Sequence, residues 1–237
     1  MTYKFDVTTS HQRLRAHAVQ VKAGLNSVAE LASKAADWDA QRQQIIAHRT
    51  AWEDGQDALT VAQTINRVRD TNWDASYTKG SGIAYLLANK KKDADPYATV
   101  FRITAARATG FGHAKATEIG DKAITAAGRF QETTLNAWAQ SFAIANDVLK
   151  ASGKAMEAAE DALDDPRFLR KALVRVHNDL IAVTEAFILN AFPGRGDVAD
   201  AILIPSWARS RSKRATNDDE DIDVRETSND TGNTPDA

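Results

Sequence analysis

A chain of 237 residues with a formal net charge of −2 is long enough to bury a substantial core and too evenly charged to advertise a polyanionic partner. Its 43 alanines, against 12 glycines and 5 prolines, favour long helices, because Ala has the best helix propensity and Gly and Pro the worst. The absence of cysteine excludes a disulfide framework, a thiolate nucleophile and any Cys-based zinc or iron–sulfur site.

The first residues, MTYKFDVTTSHQRLR, lack the apolar run of a secretion signal, and 1–9 read as an N-terminal arm. Thr8, Thr9 and Ser10 are suited to cap a helix. Leu14, Ala18, Val21, Leu25, Val28, Ala32 and Ala35 then follow in steps of four and three, the spacing of a helical heptad seam. The register jumps three residues and resumes every seventh position at Trp38, Ile45, Trp52, Leu59, Asn66 and Trp73, which predicts a helical region over 10–70. A narrow stripe of large rings suits docking, so Trp38, Ile45, Trp52, Leu59 and Trp73 are the candidate interaction surface.

Turn formers crowd DTNWDASYTKGSG, and 71–112 is expected to be a loop-rich connector with short helices. Lys79-Gly80-Ser81-Gly82 has the wrong order for a phosphate-binding loop and reads as a flexible joint. Asp95–Pro96 marks a helix start, and Gly110-Phe111-Gly112 a stop. One helix is expected from His113 to Asp164, with Leu135, Trp138, Phe142, Ala145, Leu149, Ser152, Met156, Ala159 and Leu163 on its seam. After Asp165–Pro166 a further seam runs through Leu169, Leu173, Val176, Leu180, Val183 and Phe187, flanked by Val174, Ile181 and Ile188. The short junction between the two helices predicts antiparallel neighbours, making 113–208 a helical hairpin and bundle core.

From Arg209 to Ala237 apolar residues nearly vanish, the composition of a disordered tail. Arg209, Arg211, Lys213 and Arg214 are candidate tail contacts. Asp218, Asp219, Glu220, Asp221 and Asp223 follow within a Debye length of about 8–10 Å, so the two clusters largely cancel at a distance. The remaining chain is nearly neutral, which disfavours a nucleic-acid partner.

No constellation specifies chemistry. The five histidines are scattered, without ligand spacing. Glu157, Glu160, Asp161 and Asp164 share one helix face, whose plainest role is a solvated outer surface, although paired carboxylates in a cleft would bind a hard cation. Arg195-Gly196-Asp197 is a common chance tripeptide and a helix start. No catalytic, cofactor-binding or metal-binding residue is assigned, and no cofactor is implied.

The expected fold is all-α: an elongated antiparallel helical bundle with coiled-coil-like heptad seams and a disordered C-terminal tail. The expected role is a non-enzymatic, cytoplasmic structural or interaction protein that self-associates or docks a protein partner through its heptad faces. Two alternatives stand beside it. One is an amphipathic surface-active protein, such as a lipid or granule coat or a helical pore former. The other is a helical coat protein packaging nucleic acid in a filament. No apolar run is long enough to span a bilayer, which leaves peripheral membrane contact open.

Overall fold

The computed structural model describes residues 3–208. The tail residues Arg209, Arg211, Lys213 and Arg214 lie outside the described residues. Regular structure among these is entirely helical. It comprises α1 (His11–Asn26), a 3-10 segment (Ala29–Lys34), α2 (Ala35–Leu87), α3 (Tyr97–Val100), α4 (Ala105–Ala108), α5 (His113–Ala127), α6 (Thr133–Asp161), α7 (Asp164–Ala191) and α8 (Gly196–Leu203). The chain divides into two compact units, Met1–Ala47 with Arg170–Ala237, and His48–Leu169, so α2 and α7 each contribute to both.

In the first unit the Ser10 hydroxyl accepts the Arg13 N–H (3.3 Å) and caps α1, whose Leu14, Ala18, Val21 and Leu25 are buried as their spacing predicts. The seam does not continue to Ala35 as one helix. Ser27 donates its hydroxyl to the Gly24 carbonyl (2.7 Å), Val28 turns extended (φ −125°), and the following 3-10 segment buries Leu31 while Ala32 faces solvent. Such local side-chain-to-backbone bonds compete with the helical ladder and end it.

The first turns of α2 run antiparallel to α7: Lys34 sits over the Phe187 ring, and Trp38 donates its indole N–H to Thr184 Oγ1 (3.0 Å). The buried row of α7 is Val174, His177, Ile181, Thr184 and Ile188, with Leu173 of the expected seam buried beside it. It lies one position beyond the expected seam, whose Val176 and Val183 are 48% and 54% exposed. Two polar residues, His177 and Thr184, occupy inward positions because both find partners inside; hydrophobicity alone points to the neighbouring row. Asn178 grips the N-terminal arm, accepting the Phe5 N–H (2.8 Å) and donating to the Phe5 carbonyl (2.9 Å), and Phe5 is buried.

In the second unit α2 stays helical through 71–87, where a loop-rich connector is expected. Trp73, Tyr77, Gly80, Ser81, Ala84 and Ala88 are buried at steps of three and four, and this burial overrides the turn propensity of the same stretch. The helix ends on two left-handed residues, Asn89 (φ 56°) and Lys90 (φ 62°), with the Lys90 N–H bonded to the Tyr85 carbonyl (2.9 Å).

The single helix expected from His113 to Asp164 is two helices. The chain leaves α5 at Gly128, and Asn136 secures the turn by donating to the Phe130 carbonyl (3.0 Å). α5 and α6 are antiparallel, with His113 beside Gly153, Gly120 beside Asn146 and Asp121 paired to Lys150. α6 also runs antiparallel to α2: Leu163 meets Gly55, Ser152 lies 2.9 Å from Asn66, and Trp138 covers Gly80 while donating to the Ser76 carbonyl (2.8 Å). α6 finds its neighbours in α5 and α2, and α7 from Arg170 onward belongs to the first unit.

Gly80 and Gly82 test this packing with opposite signs. A Cβ on Gly80 would overlap the Trp138 ring, whereas one on Gly82 meets nothing within 4 Å. Gly80→Ala is expected to lower the unfolding free energy by about 1–3 kcal/mol through overpacking. Gly82→Ala is expected to raise it by about 0.5–1 kcal/mol through helix propensity. Urea titration of both variants measures each sign.

Candidate interaction surface

The predicted stripe is not one surface. Trp38 and Ile45 are fully buried in the core of the first unit, and Trp73 is fully buried in that of the second. Trp52 and Leu59 are half-buried. Periodicity correctly marks these positions as apolar faces of a helix, but Trp38 and Trp73 spend those faces on intramolecular packing. Their polar handles are satisfied inside, by Thr184 and by Asn146.

The solvent-facing apolar row of α2 lies elsewhere. Val61, Ile65 and Val68 are 57%, 47% and 54% exposed, at i, i+4 and i+7. Ala58, Asn72 and Ala75, also exposed, extend the row in steps of three and four, so the whole keeps a/d spacing over five helical turns. Its edges are poor in charge, with Asp57, Thr64 and Thr71 on one side and Ala62, Arg69 and Ser76 on the other. Sequence inspection overlooks this row because the bulkier Trp and Leu of the buried face dominate any hydrophobicity count.

Each unit is built around a buried polar hub. In the second unit Asn146 is fully buried; its Oδ1 accepts the Trp73 indole N–H (2.8 Å), while its Nδ2 donates to Asp121 Oδ1 (2.7 Å) and to the Thr117 carbonyl (3.3 Å). Gly120 makes the room, since a Cβ there would collide with Asn146 Oδ1. In the first unit His17 and His177 form a fully buried pair. His17 Nε2–H donates to the Leu203 carbonyl (2.7 Å), so its Nδ1 accepts from His177 Nε2–H (2.9 Å). That assignment leaves His177 Nδ1 a bare acceptor, packed among the rings of Phe5, Trp38 and His17. The two histidines are far apart in sequence, and spacing carries no signal of their meeting.

Burial pushes the His17 pKa down to about 4, against the opposing bond to the Leu203 carbonyl. Burial, reinforced by His17, pushes His177 down to about 3. Asp70 is shifted the other way: burial raises its pKa against the pull of His113, and its Oδ1 has no hydrogen-bond partner. Asp74, one turn on, is raised by burial and by Asp70.

The carboxylate face is solvated, as its position on α6 suggests. Glu157, Glu160, Asp161 and Asp164 are exposed; Glu157 lies 3.2 Å from His113, and Asp164 pairs with Arg167. Among the described residues no group of three or more His, Asp or Glu is placed to hold a metal ion. None of the described helices is long and apolar enough to cross a membrane. Arg195 and Asp197 engage each other in an exposed ion pair (2.7 Å). Comparison with known protein families, with curated proteins and with solved structures finds no match.

The histidine pair sets a pH dependence. The unfolded chain protonates both imidazoles near their ordinary value of 6.5, whereas the folded core resists until about 4 and about 3. Their neutrality is therefore free of cost above pH 6.5, and below it stability falls by up to about 1.4 kcal/mol per pH unit for each histidine. Guanidinium titrations between pH 7.5 and 5.5, above the range of ordinary carboxylates, are expected to show this slope. His177→Phe is expected to reduce it by roughly half, whatever its effect on absolute stability.

Proposed function

We propose that this protein is a non-enzymatic, cytoplasmic interaction protein that self-associates through the outer face of α2. The observation that carries the reading is the exposed row Ala58, Val61, Ile65, Val68, Asn72 and Ala75, on a helix whose opposite face meets α6 through Asn66 and Trp73. β-branched residues at successive a/d positions are those that paired helices bury, and a single Asn in such a row is the feature that fixes register and partner number. The occupant is a second copy of the chain. The row is self-complementary in spacing, and charge-poor edges let two copies meet without stacking like charges, in keeping with the depletion of charge at interface centres. The buried hubs are structural in this reading, with every donor of the Asn146 amide engaged within the fold.

Light scattering coupled to size-exclusion chromatography tests it. The full chain is expected to elute as a dimer or higher oligomer at tens of micromolar, and Ile65→Glu/Val68→Glu to elute as a monomer with unchanged helicity. A monomeric wild-type chain across the concentration range, or a double variant that associates as before, overturns self-association through this face.

A further inference from the structure

The second unit holds a cleft that the exposed helix row does not use and that the Asn146 hub meets only at Asp121. It lies between the α3–α4 stretch and α5 and has a volume of about 610 Å³, inside the roughly 300–1,000 Å³ range of small-molecule sites. Its walls are apolar, formed by Val100 and Ile103 on one side and Ile119, Ala123 and Ala126 on the other, with Tyr77 between. Its rim is cationic: Arg102, Lys115, Lys122 and Arg129 line it, against the single carboxylate of Asp121.

The charges divide into those already used and those left over. Glu118 clasps both Lys115 (2.9 Å) and Lys122 (2.6 Å), and these lysines hold its carboxyl down to about 2. Asp121 is taken by Lys150 (3.0 Å) and by the Asn146 amide (2.7 Å). Arg102 and Arg129 have no ion pair or side-chain hydrogen bond among the described residues. Arg102 is nonetheless positioned, because Tyr77 donates its hydroxyl to the carbonyl of the next residue, Ile103 (2.9 Å), and pins that loop to α2.

Two guanidiniums without counter-ions among the described residues, at the mouth of an apolar-walled cleft, suit one chemistry. An inorganic anion would satisfy the arginines and leave the walls wet. An uncharged hydrophobe would fill the walls and leave both guanidiniums to water. We propose that this cleft binds a small organic anion with an apolar body, its carboxylate or phosphate held in the forks of Arg102 and Arg129 and its body seated against Ile103, Ile119 and Ala123.

The test is calorimetric titration of the full chain with four probes: 2-naphthoate, 2-naphthyl phosphate, 2-naphthol and inorganic phosphate. The two naphthyl anions are expected to bind with one site per chain, and whichever is tighter identifies the head group as carboxylate or phosphate. 2-Naphthol and inorganic phosphate are expected to bind at least about tenfold more weakly, a loss of about 1.4 kcal/mol. Arg102→Ala/Arg129→Ala is expected to weaken both anions at least about tenfold while leaving helicity and melting temperature unchanged, since both side chains are exposed and have no ion pair among the described residues. Val61→Ser/Val68→Ser, on the outer face of α2, is expected to leave binding unchanged, which separates this site from the proposed self-association. The proposal is overturned if neither naphthyl anion binds, if the arginine variant binds them as well as wild type, or if inorganic phosphate binds as tightly as the naphthyl ester.

Discussion

The hydrogen bond from the Trp73 indole to Asn146 sets the terms for the second unit. A fully buried indole N–H costs about 1–3 kcal/mol if left without an acceptor, so α2 can bury its largest ring only where another helix supplies an oxygen. Asn146 supplies it, and the amide's own donors then require Asp121 and the Thr117 carbonyl on α5. Three helices are thus locked in register by one side chain. Close approach follows, with Gly120 under Asn146 and Gly153 under His113, because any Cβ there would enter the space of the polar group. Stacking of Trp138 on Phe142 and of Trp73 on Tyr77 fills the remaining volume.

The first unit solves the same problem with a different donor chain. Leu203 presents a carbonyl to His17, and His17 accepts from His177, which brings α1, α7 and the C-terminal end of α8 together around two neutral imidazoles. Trp38 closes the cluster, its ring edge-on to both histidines and its N–H on Thr184. Both units therefore build an apolar core around a few polar residues whose hydrogen bonds are nearly all made internally. The bare His177 Nδ1 is one exception, beside Asp70 Oδ1, and burial of the two imidazoles is why acid bears on the core of the first unit.

Helical class and most of the inward faces were legible in the sequence, because apolar spacing survives wherever the core is made of apolar residues. Leu14, Ala18, Val21 and Leu25 are buried as read, as are Leu135, Trp138, Phe142 and Leu149. Legibility failed where polar residues go inside. The row of α7 is misplaced by one position because His177 and Thr184 do not look like core, and 71–87 looks like loop because Asn, Ser, Lys and Gly are weighed without the tertiary burial of Trp73 and Tyr77. The interaction stripe was misassigned for the converse reason: tryptophan marks interfaces and cores alike, and spacing within one chain does not tell which. The cleft was illegible altogether, since Arg102 and Arg129 come to line one cleft only through the path of the chain from α3 to α5.

The division of the chain also orders its assembly. Residues 48–169 form an uninterrupted unit, while the first unit is split between the two ends of the sequence. The middle unit needs no residue after Leu169, whereas α1 must wait for α7 and α8 to cover Leu14, His17 and Val21. Closing that long gap through a loose chain is entropically unfavourable and slow. Once the intervening segment has folded, the effective gap between the two halves of the first unit shrinks to the distance between that segment's two ends.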